Sequence, residues 1–233
     1  MPKLCIGVLS LLLLVTPAYA VDVFKVSQYG GGHQIWFEGE AFDARDPDSE
    51  NKASIGYKLA DAETGINPPD GAFGDVMVNV AGNDRIWLRY DFDISKCDGK
   101  GGRWYLWCRM INPNNRSEWL WVLGDDGDEI PDGKPAFIDG DDRVFEATIG
   151  PPWGWACSHS EGDVKDLQDG ENTMMIWFRE GDTTGLRDVL VWCDNATYRP
   201  SDDDYTNAGE IKIKLSVGPA GKLTATWGMI KGE

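Results

Sequence analysis

The stretch IWFEGEAFDARDPDSE, residues 35–50, places Glu38 and Glu40 two positions apart in an apolar and aromatic setting. Alternation along a strand sends residues i and i+2 to the same side, so the two carboxylates can reach one point. Such a pair can work as acid and base on a substrate, hold a hard cation through its oxygens, or form the solvated face of a strand. The residues alone leave all three open. Elsewhere the reactive chemistry is thin. Ser158 and His159 are adjacent in the chain, a spacing that does not by itself set a nucleophile against a base, and no G-x-S-x-G turn is present. His33 and His159 are the only histidines and no C-x-x-C occurs, which argues against zinc. With 39 acidic residues, paired carboxylates somewhere are guaranteed and say nothing about turnover, so a catalytic role is not expected.

The whole chain narrows the partners. Residues 1–20 carry Lys3, an apolar run from Leu4 to Val15, and Ala18-Tyr19-Ala20, which reads as a signal peptide with a small-x-small cleavage site. That run is too short for a permanent membrane helix. The expectation is a secreted protein, periplasmic or extracellular, that starts near Val21, works as a monomer and has no membrane partner after cleavage. A formal charge of −17 makes nucleic acid and anionic membranes poor partners and leaves neutral ligands and cations. Cys97, Cys108, Cys157 and Cys193 follow the leader, an even count that in an exported chain predicts two disulfides whose pairing the sequence leaves open. Cys108 and Cys193 lie in apolar runs and are the expected buried members.

The elements that must position these groups are strands. HQIWFEGEAF, DVMVNVAG, RIWLRYDFDI, RWYLWCRMI, EWLWVLG, RVFEATIG, NTMMIWFRE, RDVLVWC and EIKIKLSV alternate in polarity, are rich in β-branched and aromatic residues, and end in Gly, Asp, Asn or Pro. No segment keeps a helical period. The pattern predicts an all-β antiparallel sandwich over residues 21–208, with 209–233 as a last strand and a docked tail. In RWYLWCRMI, Trp104, Leu106, Cys108 and Met110 should face the core and Tyr105, Trp107 and Arg109 a half-wet side. Trp119 and Trp121 share a strand face and read as core. The acidic stretches 124–143 and 200–209 match no EF-hand spacing and read as solvated loops.

Three of these segments, in order, resemble the galactose-binding-like β-jelly rolls, and in particular family-six carbohydrate-binding modules and related secreted proteins. IWFEGEAF is similar to the opening Glu-x-Glu strand of that group. GGRWYLWCRMINP is like its aromatic-aliphatic-Arg strand, and LQDGENTMMIWFREGDTTGLRDVLVWCDN like its Gly-x-x-Thr hairpin closed by an Asp-hydrophobic strand. The resemblance runs from Gln34 to Tyr205. It implies a jelly-roll sandwich with a structural calcium held by Glu38, Glu40 and Asp188, and a ligand site at the loop edge that includes a polar residue at the position of Asn195. Gly39 stands where the group usually has Ala.

Sugar recognition needs aromatic rings against C–H faces and polar side chains on the hydroxyls. Trp153 and Trp155 in GPPWGWACSHS sit among Gly and Pro, away from any strand-like apolar context, and are the expected carbohydrate-binding pair, with Trp87 on the polar face of its strand as a second candidate. The same two rings could instead cap the open end of the sandwich. The expectation is thus a non-catalytic module for a neutral polysaccharide or glycan. The alternative is a secreted structural or protein-interaction module without sugar specificity.

Overall fold

The computed structural model describes residues 22–83, 85–133, 142–159, 162–180 and 182–213. Both the leader at 1–20 and the tail at 214–233 lie outside those residues. Along the chain run β1 (Asp22–Ser27), β2 (Gln34–Glu38), β3 (Ala44–Arg45), α1 (Pro47–Asn51), β4 (Tyr57–Leu59) and β5 (Met77–Asn79). They are followed by β6 (Trp87–Asp93), β7 (Gly102–Asn112), β8 (Glu118–Val122), β9 (Arg143–Val144) and β10 (Ile149–Ala156). The last elements are β11 (Asp163–Leu167), β12 (Glu171–Trp177), β13 (Asp182–Cys193), α2 (Asp202–Asn207) and β14 (Gly209–Ile213). Two antiparallel sheets result. The larger has the order β10-β7-β13-β2-β1-β14, with β11 also on β7 and the β4–β5 hairpin on β13; the smaller is β3-β6-β12-β8-β9. This is the antiparallel jelly-roll sandwich expected from the alternating runs.

Alternation sets the layers. Ile35 and Phe37, Trp104, Leu106, Cys108 and Met110, and Leu190 and Trp192 point inward from the larger sheet. They meet Leu88, Tyr90 and Phe92, Leu120 and Val122, and Met174 and Ile176 from the smaller one. At about 25 cal/mol per Å² of apolar surface, this central layer is the main stabilising contribution. The outward face of β7 departs from expectation. Tyr105, Trp107 and Arg109 are buried rather than half-wet, because Trp36, Trp155, Tyr198 and Tyr205 build a second apolar layer over them.

Three expectations need correction. Trp119 and Trp121 are not in the inter-sheet core: with Trp87, Met175 and Trp177 they form a cluster on the outer face of the smaller sheet. The stretch 200–209 is not a plain loop, since Ser201 and Asp204 close a reciprocal capping box that starts helix α2. The four cysteines are free thiols. Cys108 and Cys193 are both buried as expected, but Cys108 faces the central layer and Cys193 the outer one, so a single sheet separates them. Cys97 joins the central layer and Cys157 the outer one. Burial pushes the Cys108 and Cys193 thiols up to about 12. Within the acidic stretch 124–143, Lys165 gathers Asp125, Asp126 and Asp142 at 3.5, 2.6 and 2.6 Å, while 134–141 lie outside the described residues.

Candidate functional site

Strand β2 ends at Glu38, where the chain turns back with Gly39 N–H donating to Asp188 O at 2.6 Å and Ala41 N–H to Glu38 O at 3.0 Å. The turn carries Glu40 beside Glu38. Both carboxylates close on Gly74, where a Cβ would stand 2.4 Å from Glu40 Oε1 and 2.7 Å from Glu38 Oε2. Only glycine leaves room for them there. Glu38 Oε1 accepts from the Tyr205 hydroxyl at 2.6 Å, and Glu40 Oε1 from the Asp75 amide at 2.9 Å. Glu40 Oε2 is buried with no hydrogen-bond partner. Burial first, and then the neighbouring Glu38 carboxylate, push the Glu40 carboxyl up to about 8. Two facing carboxylates with an orphaned oxygen between protein walls are the donor set a hard cation takes.

Asp188 lies on the far side of residues 73 and 74 and is differently occupied. Its two oxygens accept from the Phe73 amide at 3.1 and 3.3 Å, and it pairs with Arg109 Nη1. The same guanidinium reaches Asp202 on α2 through Nε and Nη2, both at 2.8 Å. Among the described residues no three acidic, histidine or cysteine side chains are placed to share one ion. Glu38 and Glu40 therefore stand together, and the charge of Asp188 is met from within the protein.

Arg109 also organises the aromatic groups. Its guanidinium lies 4.3 Å from the Phe73 ring centre and 5.2 Å from that of Trp153. Trp153 and Trp155 are two apart on β10 and not in a loop, since β10 pairs with β7 through Gly154–Met110 and Trp155–Arg109. The Gly-Pro-Pro of this segment is absorbed by a register shift between Ile149 and Gly154. Trp155 packs edge-on against Trp36 at 5.6 Å and donates its indole N–H to Asp202 at 2.9 Å. Trp153 donates to Pro69 O at 3.4 Å and meets Gly71. Beyond that contact is a cleft of about 280 Å³, walled by residues 59–61 and 68–76 and lined by Asp61, Asp70, Asp75 and Gly74, the last of which backs onto the Glu38–Glu40 pair.

Asn195 and Trp87 are elsewhere. Asn195 donates to Gly30 O at 2.7 Å and accepts from the Thr197 amide and hydroxyl, each at 2.9 Å, so its amide closes a turn. Trp36 and Tyr198 stand between it and Trp155. Trp87 packs 6.3 Å from Trp177 on the other sheet. The hydroxyl of Ser158 accepts from the Glu146 amide at 2.9 Å, a structural use. The sequence reading missed Phe73, Arg109, Asp70 and Asp75. The Pro/Gly-rich run INPPDGAFGD was the available signal for the cleft wall.

No family model matches the sequence, and no curated protein matches it. Among solved structures, the fold is similar to that of a GH26-CBM35 β-(1,4)-mannanase from Podospora anserina, at 12% identity and a TM-score of 0.44 over 72% of this chain. The chain spans 29% of the length of that mannanase. It is also similar to a family 35 carbohydrate binding module from Clostridium thermocellum, at 16% identity and a TM-score of 0.35, covering 54% of this chain and 83% of that one. A third likeness is to the C-terminal CBM6 of a marine laminarinase from Zobellia galactanivorans, at 8% identity and a TM-score of 0.38, covering 68% of this chain and 98% of that one.

Proposed function

We propose that the protein is an exported, non-catalytic carbohydrate-binding module that holds a glycan in the cleft beside Trp153. The observation that carries this reading is the juxtaposition of a half-buried indole with a concave wall whose Asp61, Asp70 and Asp75 carboxylates are exposed. An indole offers an apolar face to the C–H groups of a pyranose ring, while carboxylates accept hydrogen bonds from its hydroxyls. Acidic glycans are disfavoured by the same carboxylates. Trp155 and Asn195, already tied to Asp202 and Gly30, serve as supports and not as contacts.

Calcium fits beside this cleft on a reduced ligand set, with Glu38 and Glu40 as its carboxylates. When bound, it supplies positive charge that relieves the repulsion between them and holds the turn after β2 against Gly74. The chain's own residues do the rest: Tyr205 and the Asp75 amide orient the two carboxylates, and Arg109 keeps Asp188 out of the set.

Affinity electrophoresis of the purified protein through gels containing neutral polysaccharides tests the reading. Retardation on at least one of them, lost in Trp153→Ala, supports it. Equal migration in every gel, or retardation untouched by Trp153→Ala, moves the protein to an interaction module without sugar specificity.

A further inference from the structure

The charge of the cleft wall bears on which glycan enters, and this inference rests on reading the cleft as a glycan site. Asp61, Asp70 and Asp75 line it, and no lysine, arginine or histidine does. All three are exposed, and none of their carboxylates has a hydrogen bond or an ion pair among the described residues. Elsewhere the protein meets its clustered acids from within: Lys165 serves Asp125, Asp126 and Asp142, and Arg109 serves Asp188 and Asp202. The cleft is different. Its negative charge is open to solvent on a chain of formal charge −17, and a concave acidic wall concentrates cations.

The size and spread of the acids narrow the cation. They surround a space of about 280 Å³, yet among the described residues no three acidic side chains converge closely enough to hold one metal ion. Dispersed carboxylates suit positive charges carried on a larger frame. Trp153 at the rim favours a frame with flat, C–H-bearing faces, which a pyranose ring has and a lysine-rich peptide lacks. We propose that the cleft selects a glycan of protonated amino sugars, each ammonium donating charge-assisted hydrogen bonds to Asp61, Asp70 or Asp75.

Titration calorimetry on the full chain, with calcium present throughout, tests this with three probes: a β-1,4-glucosamine hexamer, its fully N-acetylated counterpart, and a glucose hexamer of the same linkage. The ring and linkage are common to all, so the difference isolates the ammonium. The glucosamine hexamer should bind at least about tenfold more tightly than the other two, the scale of a charged over a neutral hydrogen bond. The preference should shrink in Asp70→Asn and in Asp75→Asn, both exposed positions whose change leaves the fold intact, and should fade once the amines are deprotonated. Equal affinity for all three hexamers overturns the amino-sugar assignment and leaves the glycan reading standing. Binding of an oligolysine control with none of the hexamers bound overturns both, and so does the absence of any binding.

Discussion

Two acidic groups flank residues 73 and 74 and are handled in opposite ways. On one side Asp188 and Asp202 share Arg109, with Asp188 fully buried and Asp202 half exposed. On the other, Glu38 and Glu40 face each other with no cationic side chain among their hydrogen-bond partners, and one Glu40 oxygen is left bare. The first group is complete within the chain. The second is complete only with a proton or a cation from outside, which is the mark of a ligand site as opposed to a structural ion pair. Asp163 is a useful third case: buried, it has only the Ser158 and Phe145 amides, at 2.7 and 3.2 Å, and burial raises its carboxyl to about 7.

The comparison breaks most sharply at Arg109. Arg109→Met leaves Asp188 buried and unpaired, and should destabilise the fold by about 3–5 kcal/mol in urea denaturation at neutral pH. Adding Asp188→Asn should recover part of that loss. A small effect of Arg109→Met would mean that Asp188 finds another cation, and the contrast between the two groups would fail.

Calcium comes next. At a free concentration about 100 times its dissociation constant it should stabilise the protein by about 2.7 kcal/mol. Chelation should therefore lower the melting temperature of the native sequence and leave that of Glu40→Gln unmoved. In chelator alone, Glu40→Gln should be at least as stable as the native sequence, because it removes one of two facing carboxylates. An unchanged melting temperature on chelation, with no metal found by elemental analysis, would remove the cation from the account.

The Asp163 prediction concerns pH. Its folded value of about 7 stands above the ordinary 3.8, so between those values the folded state holds a proton that the unfolded state has lost. The associated stability is present below about 4 and is lost as the pH rises through about 7. Asp163→Asn should flatten that part of the stability curve, measured with calcium present. It should also lower stability by about 1–3 kcal/mol, since one amide donor loses its acceptor. An unaltered slope would mean that Asp163 is ionised in the fold.

The strands and the layers were largely legible, because alternation is a local property and each apolar run carries its own inward face. The Glu38–Glu40 pair was legible for the same reason, being set by a spacing of two. What escaped was set by distant partners. Arg109 reaches Asp188 and Asp202 across 79 and 93 positions, and nothing within RWYLWCRMI announces that. Trp153 and Trp155 looked like loop residues because Gly and Pro surround them, while the pairing that makes β10 a strand lies on β7. Asn195 resembled a ligand contact by position, but its amide was already spent on Gly30 and Thr197. The disulfides followed from an even count that ignores which face of the sheet each thiol takes.

Because Trp153 and Trp87 are both partly exposed aromatics on outward sheet faces, they separate the central claim from general stickiness. The direct measurement is the affinity of one retained glycan for the native protein, Trp153→Ala and Trp87→Ala, with thermal melts confirming that all three are folded. The account predicts a loss of about 1–3 kcal/mol for Trp153→Ala, the worth of burying a large apolar side chain, and no loss for Trp87→Ala. Undiminished affinity in Trp153→Ala, or a loss confined to Trp87→Ala, would contradict it.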